Sequence, residues 1–246
     1  MICHLPGNIL HNIAWQLLTT ASPASKNWFS NIRDICFTYN LPHPLSLLKS
    51  PPPKERFKNL CKTNITDFWQ AELRAHSAKL VSLKYFKPQF MSLSRPHPML
   101  RWASTPYQVN KCIVVSRMLS GRFRCGSLLR HFDKDVSGLC ELCGEEVDRL
   151  THILVPRCPR LADHAEYLRK YAADSLSVFP RAAAIFTSII EGEDDDQKVQ
   201  LWLDPSVVPE IILETQIDPS ILKLFLNITT TYCYSLNRQR NKLLGK

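Results

Sequence analysis

Apolar residues along most of this chain recur at intervals of three and four rather than alternating, so the pattern predicts helices and no large sheet. The clearest run is Lys54 to Leu80. There Phe57, Leu60, Cys61, Ile65, Phe68 and Leu73 fall near helical spacing, with cations on the opposite side. Two shorter helices are predicted over 8–20 and 25–39, with Ser25 as N-cap of the second and Leu41-Pro42-His43-Pro44 as its stop. Ser50-Pro51-Pro52-Pro53 reads as a stiff, extended spacer before the long helix. The stretch from Phe86 to Pro98 carries three prolines and little periodicity, and reads as extended or loop.

Capping signals place the later helices. Thr105-Pro106 opens one by the cap-then-proline rule and Gly121 closes it, with Val109, Cys112, Ile113, Ser116 and Leu119 as its expected buried stripe. Helices follow over 159–172 and 180–190. Asp218-Pro219 opens a long final helix, apolar through Tyr232 and basic at Arg238, Arg240 and Lys242. Cations in the last turns are expected from the helix dipole alone. Between these, Glu191-Gly-Glu-Asp-Asp-Asp196 reads as a solvated acidic loop, because its carboxylates lack the spaced partners of a Mg²⁺ site.

One local pattern carries chemistry. Cys140-Glu-Leu-Cys143-Gly144 is followed by His152 and Cys158. Two thiols three positions apart grip one ion from a tight turn, and Gly144 suits that turn because glycine accepts φ > 0. With His152 and Cys158 they make a Cys3His set, the donor mix of a closed tetrahedral Zn²⁺ site. Asp148 is the expected cap of a short helix through His152 to Val155, ended by Pro156. Cys158-Pro159 then reads as N-cap and first position of the next helix, where the positive helix end favours a thiolate. Cys125, His131 and His164 are nearby substitutes for one ligand. The competing reading is a chance cluster among nine cysteines that are mostly small buried apolar groups.

The mainly α fold is therefore expected as helical segments around a small Cys3His zinc knuckle. Its parts are an N-terminal helical segment over 1–50, a basic helical region over 51–135, the knuckle and its following helix over 136–175, and a helical region over 176–246. An odd cysteine count without a regular framework points to a reducing, intracellular setting, in nucleus or cytoplasm. No apolar run reaches the length of a membrane span and no signal peptide is evident. The net charge of +9 is unevenly shared. Residues 1–130 hold 18 Lys and Arg against 4 Asp and Glu, a balance of +14, while 131–246 hold 13 against 18, a balance of −5. The basic half is the candidate polyanion surface, and Arg117, Arg122, Arg124 and Arg130 cluster just before the knuckle. Aromatics are interleaved there (Phe57, Trp69, Tyr85, Phe86, Phe90, Trp102, Phe123), most of them fitting a core better than stacking platforms.

Met118-Leu-Ser-Gly-Arg-Phe-Arg124, Leu139-Cys-Glu-Leu-Cys-Gly-Glu-Glu146, Thr151-His-Ile-Leu154 and Arg157-Cys-Pro-Arg-Leu161 together resemble the C-terminal region of non-LTR (LINE-type) retrotransposon reverse transcriptases. There a G-R-(Y/F) helix end leads into a C-x2-C…H…C knuckle. Trp28-Phe29, Leu41-Pro-His-Pro44 and Phe86-Lys-Pro88 resemble the segment before that knuckle, and Cys233-Tyr-Ser-Leu-Asn-Arg-Gln-Arg240 with Leu243-Leu-Gly245 resembles such a reading frame's end. The resemblance implies Zn²⁺ held by Cys140, Cys143, His152 and Cys158, contact with RNA or target-site DNA, and a polymerase domain as a partner in trans. One departure stands out: five residues separate His152 from Cys158 where these elements usually have four. The paired-Asp polymerase motif and the endonuclease residues have no counterpart here, and the C-x2-C pair is better explained by metal than by a thiol nucleophile. The expectation is a non-catalytic chain. The alternative is a structural or protein-interaction remnant with a zinc-stapled fold. Exposed apolar faces are expected on residues 1–40 if a polymerase domain once packed there.

Overall fold

This computed structural model describes residues 9–20, 28–87 and 95–246, less the side chain of Phe29. Among them are thirteen α-helices and no strand, so the chain is mainly α. The proposed cap Ser25, and Phe90, lie outside the described residues. The chain forms two compact units, 1–75 and 76–246.

In the first unit α1 (Ile9–Thr20), α2 (Trp28–Thr38) and α3 (Pro44–Lys49) pack on one another, and α4 (Lys54–Lys79) begins after the proline spacer. Pro44 is the last residue of the expected stop of α2 but also opens α3, a helix the pattern alone does not reveal. Proline at the first position loses no hydrogen bond. His43 supplies the cap, its Nδ1 accepting the Leu45 N–H at 3.2 Å. On α4 the stripe of Phe57, Cys61, Ile65, Phe68 and Leu73 is half-buried while Leu60 is exposed. Tyr39 meets Phe68 edge-on at 5.0 Å. Cys36 and Pro44 are the apolar residues this unit buries among those described, whereas Ile9, Ile13, Leu17, Trp28, Ile35 and Phe37 are exposed.

The second unit is built around its last helix. Its elements are α5 (Pro98–Arg101), α6 (Pro106–Leu119), α7 (Gly126–Phe132), α8 (Leu150–Leu154), α9 (Pro159–Leu176), α10 (Pro180–Glu191), α11 (Asp195–Leu203), α12 (Pro209–Ile217) and α13 (Pro219–Leu243). α13 packs against α6, α8, α9, α11 and α12. Its buried face, including Ile221, Phe225, Ile228, Tyr232 and Leu236, is apolar because neighbours cover it along most of its length. Each such side chain contributes roughly 1.5–3 kcal/mol by leaving water. At the centre Tyr232 stacks on Trp202 at 3.6 Å, and Phe186 meets Trp202 edge-on at 5.5 Å. The Tyr232 hydroxyl donates to the Leu154 carbonyl at 2.8 Å, which fixes α8 to the core.

Several local expectations change here. Thr105 does cap α6 through a full capping box with Gln108, but the buried positions are Lys111, Cys112, Val114, Val115, Met118 and Leu119. Val109 and Ile113 face solvent because α5, α11 and α13 cover a different side of the helix. Lys111 is buried with them, its Nζ donating to Thr231 Oγ1 at 2.8 Å, and burial lowers its pKa. The acidic run does not end as a loop. Asp194 accepts the N–H groups of Asp196 and Gln197 and so starts α11, where carboxylates complement the positive helix end. Pro98 opens α5 with His97 as cap, where an extended segment is expected.

Candidate metal centre

The C-x2-C segment sits on a tight turn between two short antiparallel stretches. Cys140 N–H donates to Glu146 C=O at 2.8 Å and Asp148 N–H to Gly138 C=O at 3.0 Å, with Leu139 and Val147 bridged between. Gly144 N–H closes back on Cys140 C=O at 2.8 Å. Gly144 has φ +71°, the left-handed conformation that most side chains resist. That turn faces both thiols the same way.

His152 arrives on α8, and Cys158 at the start of α9. The fifth intervening residue is taken up in the Pro156 turn, across which Cys158 N–H donates to His152 C=O at 3.3 Å. The four side chains converge, all ligand atoms lying within 4.8 Å of one another. A tetrahedral ion with metal–sulfur bonds of about 2.3 Å and metal–nitrogen bonds of about 2.0–2.1 Å has edges of about 3.8 Å between sulfurs and about 3.6 Å from sulfur to nitrogen. Cys140 Sγ lies 3.9 Å from Cys158 Sγ, and Cys143 Sγ 3.4 Å from His152 Nε2. The cluster is compact enough, and of the right donors, for a tetrahedral divalent metal such as zinc.

Its surroundings favour that use. His152 Nδ1 lies 3.1 Å from Glu146 Oε2, which fixes the tautomer that leaves Nε2 free as a ligand. Burial raises the pKa of Cys143, but the N–H groups of Glu145 and Glu146, with Cys140 and His152, outweigh it and bring the thiol down to about 7. Cys158 is pushed up to about 12, first by burial, then by the adjacent thiols of Cys140 and Cys143 and against the Arg160 N–H. One thiolate therefore forms readily while the next is opposed until a cation balances it.

Asp148 does not cap α8, whose N-cap is Arg149. Its carboxylate is fully buried and points the other way, where Oδ2 accepts the Gly126 N–H and Arg240 Nη2, each at 2.7 Å. Arg240 Nη1 donates to the Arg124 carbonyl at 3.3 Å, and the guanidinium lies 5.8 Å from the Phe123 ring centroid. Gly126 is tight against the strand-like stretch before Cys140, since a Cβ there would sit 3.0 Å from Gly138 and Leu139 backbone atoms. The Cys-containing turn, α13 and the segment before α7 thus meet at one buried ion pair.

That segment carries the sequence-predicted arginines. α6 ends in a Schellman motif: Arg122 N–H donates to Arg117 C=O at 2.8 Å and Gly121 N–H to Met118 C=O at 3.3 Å, with Gly121 at φ +65°. The motif makes Arg117 and Arg122 neighbours at positions where apolar side chains commonly touch. Arg117, Arg122, Arg124 and Arg130 are all exposed, and none pairs with a carboxylate among the described residues. The substitute ligands stay apart from the cluster. Cys125 Sγ lies 3.3 Å from Ser127 Oγ, His131 is exposed, and His164 Nε2 lies 3.0 Å from Ser235 Oγ. Glu146 and Arg240 carry no signal in the motif; Glu146 is visible only as a carboxylate six residues before a ligand histidine, and Arg240 is 92 residues from Asp148. No helix among the described residues is long and apolar enough to cross a membrane. Comparison with protein-family models, curated proteins and solved structures finds no match to this chain.

Proposed function

We propose that this chain is a non-catalytic, zinc-stabilised nucleic-acid-binding module, derived from the C-terminal region of a non-LTR retrotransposon reverse transcriptase. The observation that carries the reading is the adjacency of Arg117 and Arg122 at the end of α6, with Arg124 and Arg130 following, all exposed and without carboxylate partners among the described residues. Like charges brought together by the backbone repel unless a polyanion lies across them, and a phosphate backbone is such a partner. Zn²⁺ held by Cys140, Cys143, His152 and Cys158 acts structurally, contributing on the order of 10 kcal/mol to folding. Its loss releases the knuckle side of the clamp at Gly126, so zinc and arginine order are coupled.

A second reading, a structural or protein-interaction remnant, is favoured by the apolar side chains exposed on α1 and α2. A polymerase domain in trans is the partner it suggests.

Fluorescence anisotropy with labelled single-stranded RNA and DNA across a salt series separates the two. The four arginines alone contribute ~−2.8 to the log K against log salt slope on single strands. Binding is expected to collapse when a chelator removes zinc, and to be absent in Cys158→Ser. No binding by the zinc-loaded, folded protein, or binding independent of salt, refutes the nucleic-acid reading and leaves the protein-interaction one.

A further inference from the structure

α13 carries cations that neither the core nor the arginine segment uses. Arg238 and Lys242 lie four residues apart on one stripe of α13, Lys246 follows the left-handed Gly245 beyond the helix end, and residues 219–246 contain no Asp or Glu to pair with them. The helix dipole accounts for Lys242 in the last turn, but its effect fades within that turn and does not reach Arg238. The opposite face of α13, with Tyr232, Cys233, Leu236 and Arg240, is buried, so this stripe faces outward.

The stripe borders a shallow polar groove walled by His164 of α9, whose ring is held by Ser235. No carboxylate lines the groove; Asn237 and Asn241 add neutral amide donors. Arg238 and Lys242 are exposed and unpaired among the described residues. Lys246 reaches Glu141 at 3.0 Å, between the ligands Cys140 and Cys143, so the groove runs up to the knuckle. On α9, His164, Tyr167 and Tyr171 lie at i, i+3 and i+7, one stripe of the helix. The face α9 buries is Leu161, Ala165, Leu168 and Ala172, while Tyr167 and Tyr171 are 68% and 48% exposed.

We infer that this groove is a second nucleic-acid contact surface, distinct from the arginines before the knuckle. Its cations and amides take the phosphodiester backbone of a single strand, and Tyr167 and Tyr171 stack its bases. Cationic grooves flanked by exposed aromatic rings are how single strands are held without sequence preference, because every base has a stacking face. The inference rests on the proposed nucleic-acid binding and names where else the strand runs.

The test uses fluorescein-labelled 20-mers of uridine and thymidine with full-length zinc-loaded protein. Arg238→Ala with Lys242→Ala is expected to make the salt slope shallower by ~1.4 and to weaken binding ~25-fold at 0.1 M salt. Tyr167→Ala with Tyr171→Ala is expected to weaken binding by about fivefold or more per ring, with the slope unchanged. All four side chains are exposed, so zinc content and circular dichroism should match the unmodified protein. Either variant binding as tightly as the unmodified protein, at the same slope, overturns the groove; if Arg117→Ala with Arg122→Ala then still weakens binding, the arginine reading stands without it. Absence of binding by the unmodified protein overturns both.

Discussion

The buried pair of Asp148 and Arg240 gives the sharpest stability test. Both side chains are almost wholly inaccessible, 1% and 6% exposed, and Asp148 Oδ1 and Arg240 Nε have no hydrogen-bond partner among the described residues. Their mutual attraction is thus partly offset by desolvation. Arg240→Met leaves a buried carboxylate with the Gly126 N–H as its remaining side-chain partner. Asp148→Ala leaves a buried guanidinium whose remaining hydrogen bond is to the Arg124 carbonyl, beside the Phe123 ring. Each strands an uncompensated charge, at a cost of about 3–5 kcal/mol. The double variant removes both charges, and its principal remaining loss is the acceptor for Gly126 N–H, about 1–3 kcal/mol. The double variant should therefore be more stable than either single one, although two groups have been removed. The assay is urea unfolding of zinc-saturated protein, followed by far-ultraviolet circular dichroism. Double-variant destabilisation equal to the sum of the singles, within ~0.5 kcal/mol, would show that the residues do not act as a pair.

Two further outcomes follow from the knuckle and the helix ends. Glu146→Gln removes the charge that orients His152 and should weaken zinc affinity by about 10–100-fold, read by competition with a chromophoric chelator; unchanged affinity sinks the orienting role. Gly121→Ala and Gly144→Ala both place a side chain at positive φ, a strain of about 1–2 kcal/mol. Only at Gly121 does the new Cβ collide, 2.6 Å from Ser82 Cβ and 2.8 Å from its carbonyl, whereas Gly144 has open space. Gly121→Ala should thus cost clearly more in thermal unfolding, and equal losses would contradict the close approach.

What was legible in the sequence was local. Cys158-Pro159, Thr105-Pro106 and Asp218-Pro219 open helices where cap and proline together announce them. The cluster of Cys140, Cys143, His152 and Cys158 was legible because metal donors keep short spacings, and the turn at Pro156 accommodates the extra residue. What escaped depends on partners distant in sequence. Asp148 has the chemistry of a cap, and only the fold reveals that it serves Arg240 instead. The buried side of α6 is set by which helices cover it, so Val109 and Ile113 gave way to Val114, Val115 and Met118. Pro44 fits a helix stop and Pro98 an extended stretch by sequence, but histidine is not among the usual caps, and His43 and His97 perform that role through Nδ1.

The clamp at Gly126 also has an entropic consequence. The segment from Arg122 to Gly126 is anchored at one end by the α6 Schellman turn and at the other by Asp148. Fixing each backbone residue removes about 1–2 kcal/mol of conformational freedom. For these five residues that loss accompanies folding, before any ligand binds. On the proposed reading, a ligand meeting Arg122 and Arg124 finds their backbone already fixed, so its association is not slowed by loop ordering, and differences between ligands should appear mainly in how fast they leave.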